Sequence, residues 1–242
     1  DGNRNKPLAN STRSKHIVII RKIMKIAYEK GILAQIPLMP ESSRQDNPRP
    51  SFSEDEYKTL LNTTRECIEN GDVVRGITIT WEVYYFIVFL VHSFMRPIET
   101  EIFAVKHKDL KIKKNPDRLE IRIKGKTGFR VVSTLQSAVE FLEKMRELNS
   151  DYQENDYLFF NDYPNRSTAS RNFQRQFGYI LDKCNLRETD DDALRTPYAL
   201  RHYSLQTRLR KSKGKVNIFN LAKNAGTSVE QLERFYLRNM EF

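Results

Sequence analysis

Cysteine and histidine are scarce in this chain. Only two of its 242 residues are cysteine and four are histidine. Cys67 and Cys184 are too few and too far apart for a disulfide framework, which favours a reducing compartment. No Cys/His cluster has the ligand spacing of a zinc site. We therefore expect a cytoplasmic protein that binds no metal.

Long hydrophobic runs are also missing. Trp81 to Phe94 is the longest, but Glu82 and His92 interrupt it, and it is shorter than the roughly 20 residues that cross a bilayer. This run predicts a buried helix, and we expect no association with a membrane. The N-terminus has no signal peptide and begins at Asp1 rather than Met, as a fragment would.

Positive charge, in contrast, is abundant. Lys and Arg number 41 against 31 Asp and Glu, which gives a formal net charge of +10. Such a balance favours a polyanionic partner, because Lys and Arg displace counterions from phosphates. Solubility alone is the other explanation. Hydrophobic residues make up 39% of the chain, which is enough for a packed core.

The pattern of apolar residues predicts a mainly α chain with a small antiparallel β-sheet, an α+β fold. Leu119, Ile121 and Ile123 alternate with polar residues as in a half-buried strand, and the return strand runs over 129–134. A segment with four prolines predicts a linker at 37–52. Helices are predicted at 11–30, 53–70, 81–94, 97–105, 135–148, 167–185, 197–210, 216–224 and 228–238.

Two segments in the first half of this pattern place a cation at a turn or a helix start. Arg96 precedes Pro97, and a guanidinium there can bind a phosphate together with helix N-terminal amides. A surface ion pair between Arg96 and Glu99 is the alternative. Lys126 lies at the tip of the predicted hairpin, where it can reach into a DNA groove, although turn lysines are usually solvated. Lys124 is a competing choice.

The second half adds four polar positions and a tyrosine near the C-terminus. Tyr198 and Arg201 are three apart and share a helix face, and His202 follows as an expected core histidine. Thr227 follows Gly226 in a turn before a short helix. Tyr236 lies nine residues after Thr227, and a lone tyrosine there is usually a core residue.

The order of these segments resembles the tyrosine recombinases, the phage integrase family. Arg96 and Glu99 match that family's Arg followed by Glu, and Gly125-Lys126 matches its hairpin lysine. Tyr198, Arg201 and His202 match its His-x-x-Arg-His segment, Gly226-Thr227 its Gly-His, and Tyr236 its nucleophile. The resemblance covers residues 50 to 242. It implies the family's catalytic domain fold, of the DNA breaking-rejoining enzyme type.

The resemblance also implies a function and a division of the chain. Residues 1–36 would be the C-terminal part of a helical core-binding domain, 37–52 a Pro-rich linker and 53–242 the catalytic domain. The protein would be a bacterial or phage-encoded integrase of a mobile element, a site-specific recombinase that acts on double-stranded DNA as a homo-tetramer without a cofactor. Phosphate contacts are expected from Lys106, Lys108, Lys111, Lys211 and Lys213.

Implied roles follow for the site residues. Tyr236 would attack the phosphorus, Arg96 and Arg201 would stabilise the phosphate charge, and Lys126 would protonate the leaving oxygen. Glu99 would orient its neighbours, with Tyr198 and Thr227 as hydrogen-bond donors to the phosphate region. Tyr198 and Thr227 depart from the family's residues at these positions, and neither is a good proton acceptor near neutral pH.

Three alternatives remain open from the sequence. A recombinase-like protein that binds DNA without cutting it would explain the departures at Tyr198 and Thr227. A type IB topoisomerase uses related chemistry on less specific sites. A helix-turn-helix regulator would use the helix, turn and helix between Asn217 and Tyr236, but it leaves Arg96 and Lys126 without a role.

Overall fold

The structure is a computed structural model that describes Leu8 and residues 10–40, 50–125 and 128–234. The chain divides into two compact units, Asp1–Asn47 and Pro48–Phe242. The mainly helical content with small antiparallel sheets confirms the predicted α+β class. None of the described helices is both long enough and apolar enough to cross a membrane.

The first unit contains one described helix, α1, at Asn10–Glu29. This agrees with the helix predicted at 11–30. Gly31 follows it with φ of +70°, the left-handed conformation that ends many helices. Val18, Ile19 and Ile23 are each about half exposed along the helix. The role of this unit as part of a core-binding domain stays a prediction.

The second unit contains the other described helices and all the described strands. The helices are α2 (Glu54–Glu69), α3 (Trp81–Ser93), α4 (Ser137–Leu148), α5 (Arg166–Lys183), α6 (Tyr198–Ser212), α7 (Ile218–Ala225) and α8 (Val229–Leu232). The strands are β1 (Val73–Val74), β2 (Ile77–Thr78), β3 (Leu110–Lys113), β4 (Arg118–Gly125) and β5 (Gly128–Ser133).

Local sequence signals explain most of these boundaries. Ser53 and Glu56 form a reciprocal capping box that begins α2. The run that begins at Trp81 forms α3, which is buried over most of its length. The helix predicted at 97–105 is wrong, because only a single 3-10 turn forms there, at Ile102–Ala104.

The larger sheet has the antiparallel order β3-β4-β5. Ile121 lies opposite Val132 and Ile123 lies opposite Arg130. Leu119, Ile121 and Val132 are fully buried, so one face of the sheet packs into the core. The ladder ends where Gly125 pairs with Gly128.

A main core surrounds α3 and includes side chains from α2, α4, α5 and α6. A second, smaller cluster joins the end of α3 to the last helices through Phe94, Leu205, Leu221, Ala225 and Leu232. Phe94 ends α3 with φ of +58°, which is uncommon for a bulky residue. The backbone therefore changes direction at Phe94, two residues before Arg96.

Candidate active site

Arg96 is held by a buried carboxylate five residues later. Its backbone N–H donates to Glu101 Oε2 at 2.9 Å, and its Nη1 donates to Glu101 Oε1 at 2.5 Å. The Glu101 side chain is only 2% exposed, whereas that of Arg96 is 26% exposed. The carboxylate therefore fixes the guanidinium while leaving part of it accessible.

The expected pair of Arg96 with Glu99 does not form among the described residues, and the orienting role of Glu99 stays a prediction. Glu99 is exposed, and the structure pairs Arg96 with Glu101 instead. The tight turn explains the change, since Ile98 N–H donates to Arg96 O at 2.8 Å and Glu101 N–H donates to Ile98 O at 3.1 Å. This turn replaces the predicted helix and directs the Glu101 side chain back to Arg96.

Arg201 lies in the first turn of α6 and is 2% exposed. Its Nη1 donates to the carbonyl of Phe94, and its Nη2 donates to the carbonyl of Ala225 at 2.8 Å. The same guanidinium thus joins the C-terminal ends of α3 and α7, close to Arg96 and Gly226 in the chain.

A third arginine, Arg130 on β5, reaches the same carboxylate. Its Nη2 donates to Glu101 Oε2 at 2.9 Å, and its side chain is 16% exposed. Sequence reasoning missed this residue. The alternation of β5 was the available signal, because Arg130 and the buried Val132 lie two apart and therefore on one face.

Gly226 fits against both Arg96 and Arg130. Its carbonyl accepts a hydrogen bond from Arg96 Nη2. Its φ is +65°, and a Cβ placed there would lie 1.3 Å from Arg130 Nη1. Glycine is needed at this position both for the left-handed backbone and for the space that the Arg130 guanidinium fills.

The electrostatics of the site favour an anion. Two guanidinium groups, those of Arg96 and Arg130, contact the single carboxylate of Glu101, and the charge of Arg201 acts on Arg130. Burial lowers the pKa of Arg130. The positive charges of Arg96 and Arg201 also lower it, whereas the negative charge of Glu101 raises it. Arginine nevertheless stays protonated in proteins. The local excess of positive charge can therefore be compensated by an anionic ligand.

The other predicted polar residues lie near the start of α6 and directly after α7. Tyr198 is half-buried at the first residue of α6, and His202 is buried, as expected of a core histidine. Thr227 is half-buried directly after Gly226, and its N–H donates to Ala222 O at 2.9 Å. Ser228 then caps α8 by accepting a hydrogen bond from Gln231 N–H.

Two predicted residues, Tyr236 and Lys126, lie outside the described part of the chain. Their roles stay predictions. The described backbone reaches Gly125 and Gly128 on either side of Lys126, and it reaches Arg234 two residues before Tyr236. Within the described residues, the fold brings together Arg96, Arg130, Arg201 and Gly226.

The lysines predicted to contact DNA have contacts of their own. Lys106 Nζ lies 4.8 Å from the centre of the Tyr157 ring, Lys108 Nζ donates to Asn155 Oδ1 at 2.7 Å, and Lys211 pairs with Glu54 at 3.0 Å. Lys111 and Lys213 are exposed. Among the described residues, no cluster of His, Cys, Asp or Glu could hold a metal ion.

The chain has no matching family model and no matching curated protein. Several solved structures are similar in fold. The XerA recombinase aligns with a TM-score of 0.56 and 19% identity over 89% of this chain and 68% of its own. XerH bound to difH substrate in a pre-cleavage complex has a TM-score of 0.63 and 14% identity, over 99% of this chain and 64% of its own.

A lambda integrase tetramer bound to a Holliday junction aligns with a TM-score of 0.64 and 14% identity, over 92% of this chain and 58% of its own. The chain thus spans about two thirds or less of the length of these proteins. Identities this low carry the fold alone. On that ground, the chain has the tyrosine recombinase fold.

Proposed function

We propose that the protein is a site-specific recombinase that cleaves and rejoins DNA strands through a 3′-phosphotyrosine at Tyr236. The observation that carries this proposal is a set of guanidinium donors that no described residue uses. A guanidinium has five N–H groups. To described residues, the side chains of Arg96 and Arg201 each donate two hydrogen bonds.

A DNA phosphodiester fits these donors. Its two non-bridging oxygens share one negative charge and accept forked hydrogen bonds from guanidinium groups. The charge on these oxygens grows in the five-coordinate transition state. Donors held in place before the reaction stabilise that charge without reorganising, which is the main source of acceleration in such sites.

The chemistry then needs a nucleophile and a proton donor. Tyr236 Oη gives its proton to water and attacks phosphorus, the bond from phosphorus to the 5′-oxygen breaks, and Lys126 protonates that oxygen. Tyr198 and Thr227 would donate hydrogen bonds near the phosphate. The reverse attack by a 5′-hydroxyl rejoins the strand, and the protein-phosphate link retains the bond energy, so ATP is not required.

The partner we propose is double-stranded DNA, bound by a homo-tetramer. The net charge of +10 supports a polyanionic partner. The described contacts of Lys106, Lys108 and Lys211 are with protein groups, so phosphate contacts from these lysines would replace or add to them. We assign residues 1–36 to the end of a core-binding domain, 37–52 to a linker and 53–242 to the catalytic domain.

Covalent trapping tests this function. The protein is mixed with nicked genomic duplexes without metal, denatured in detergent, and the DNA that stays attached is sequenced. We expect adducts at one inverted repeat that vanish in Tyr236→Phe and persist in Tyr28→Phe, a control at an exposed position of α1.

Other results would redirect the proposal. Adducts scattered without sequence preference would identify a type IB topoisomerase. Tight DNA binding with no adduct would identify a protein that binds DNA without cutting it, as the departures at Tyr198 and Thr227 suggested.

A further inference from the structure

We propose that Arg130 is a positioning residue for strand cleavage, which locks the Glu101 carboxylate so that Arg96 is held toward the phosphate. This inference rests on the proposed function and deepens it. Arg130 has no counterpart among the residues that the sequence motifs single out, and only the structure brings it to the site.

The hydrogen bonds of Glu101 are the first argument. Oε1 accepts from Arg96 Nη1, and Oε2 accepts from Arg96 N–H and from Arg130 Nη2. Arg130 is thus the only described partner of this carboxylate that does not come from Arg96 itself. Without it, no described residue outside the 96–101 turn would hydrogen-bond the carboxylate, and the hold of Glu101 on Arg96 would loosen.

The packing of Arg130 is the second argument. Its Nη1 occupies the space where any side chain at residue 226 would begin. Arg96 Nη2 donates to the carbonyl of that same Gly226. The two arginines therefore bracket one peptide unit, and a displacement of Arg130 would remove the support on one side of it.

A second link holds β5 against α7. Asn224 Oδ1 accepts from Ser133 N–H at 2.7 Å, and Asn224 Nδ2 donates to Ser133 O at 2.8 Å. This pair of hydrogen bonds and the Arg130–Gly226 contact together fix the position of β5 against the end of α7. The anchored strand explains why Arg130 can act as a fixed support for Glu101.

Arg130 fits a positioning role better than a direct role at the phosphate. Its side chain is less exposed than that of Arg96, and its Nε is buried without a partner among the described residues. Its described hydrogen bond is with Glu101. A group with this orientation acts on the reaction through the carboxylate.

The test combines cleavage rates with a double-mutant cycle. We expect Arg130→Gln to slow single-turnover cleavage at saturating DNA by about 10²-fold, the scale of a small misplacement of a catalytic group, with DNA affinity changed less than about 2-fold. In the Arg96→Ala background the same change should have little further effect, because both residues then act through one interaction. Arg130→Lys should restore part of the rate by keeping the ion pair with Glu101.

Substrate chemistry separates Arg130 from the proton donor. A DNA substrate with sulfur in place of the bridging 5′-oxygen has a leaving group that needs no protonation, since a thiol is far more acidic than an alcohol. This substrate should restore cleavage to Lys126→Ala but not to Arg130→Gln. Full restoration of Arg130→Gln, or a multiplicative loss with Arg96→Ala, would overturn the proposal.

A measurement without DNA separates this proposal from the recombinase function. In protein labelled with ¹⁵N-arginine, slow rotation of the held Arg96 guanidinium should give distinct Nη resonances. These should average in Arg130→Gln and remain distinct in Arg130→Lys. Unchanged Arg96 resonances in Arg130→Gln would overturn the positioning role even if wild-type protein forms adducts. Averaging without any wild-type adduct would uphold the positioning role and count against the recombinase.

Discussion

Arg166 and Arg96 are chemically identical side chains that the fold uses in opposite ways. Arg166 donates four hydrogen bonds, to the carbonyls of Phe103, Phe159, Phe160 and Tyr163 at 2.7 to 3.0 Å. Its guanidinium carbon also lies 3.8 Å from the centre of the Tyr157 ring.

Arg195 is used in the same way as Arg166. It donates four hydrogen bonds, to the carbonyls of Ser51, Leu186 and Glu188 and to Glu56 Oε1. Arg96, in contrast, gives only two side-chain hydrogen bonds to described residues, and its side chain is 26% exposed. An arginine whose donors are consumed by backbone carbonyls organises the chain, whereas one with donors to spare is available to an anion.

The largest effect expected from this difference is on catalysis. Arg96→Ala should reduce the rate of strand cleavage by about 10²–10³-fold, as the loss of one preorganised donor typically does. Much of the DNA binding should remain, because the proposed phosphate contacts of the lysines are unchanged in this variant. Single-turnover cleavage and a DNA titration at fixed salt measure the two quantities. A loss of binding as large as the loss of rate would contradict this role.

The same substitution at Arg166, whose donors bind backbone carbonyls, should lower the stability of the fold. Arg166→Ala leaves four carbonyls without their donor, and we expect the free energy of unfolding to fall by about 3 kcal/mol. Urea denaturation measures this as a lower midpoint at unchanged slope. The cleavage rate per folded molecule should stay within about 2-fold of wild type. An unchanged midpoint would show that Arg166 does not stabilise the fold.

The smallest effect expected is stabilisation by a phosphate-like anion. Orthovanadate at ten times its dissociation constant should raise the free energy of unfolding by about 1.4 kcal/mol, because it binds only the folded site. The gain should persist in Arg166→Ala and disappear in Arg96→Ala. If orthovanadate stabilises both variants equally, the anion binds elsewhere, and the proposed difference between Arg96 and Arg166 is wrong.

Local signals in the sequence were sufficient for much of the fold. The capping box at Ser53, the alternation from Leu119 to Ile123 and the apolar run of α3 each depend on neighbours within a few residues. The turn after Arg96 did not follow from such signals. Pro97 suits a helix start, but the hydrogen bonds of Glu101 to Arg96 override that preference.

The site was predictable only in part for a similar reason. Arg96 and Arg201 were found from their order in the chain, which the resemblance supplied. The partners of Arg201 lie 107 and 24 residues away, and the Glu101 partner of Arg130 lies 29 residues away. Spacing in sequence carries no information on such contacts. The inward position of Arg130 on β5 was detectable, but its partner was not.

The two carbonyls that hold Arg201 belong to the ends of helices. Phe94 ends α3 and Ala225 is the last residue of α7, so the negative ends of two helix dipoles point at one buried guanidinium. Each dipole end carries about half a charge, so the pair offsets part of the cost of burying Arg201. A substitution that frays either helix end would therefore strengthen the positive field at the site while loosening the arginine that produces it.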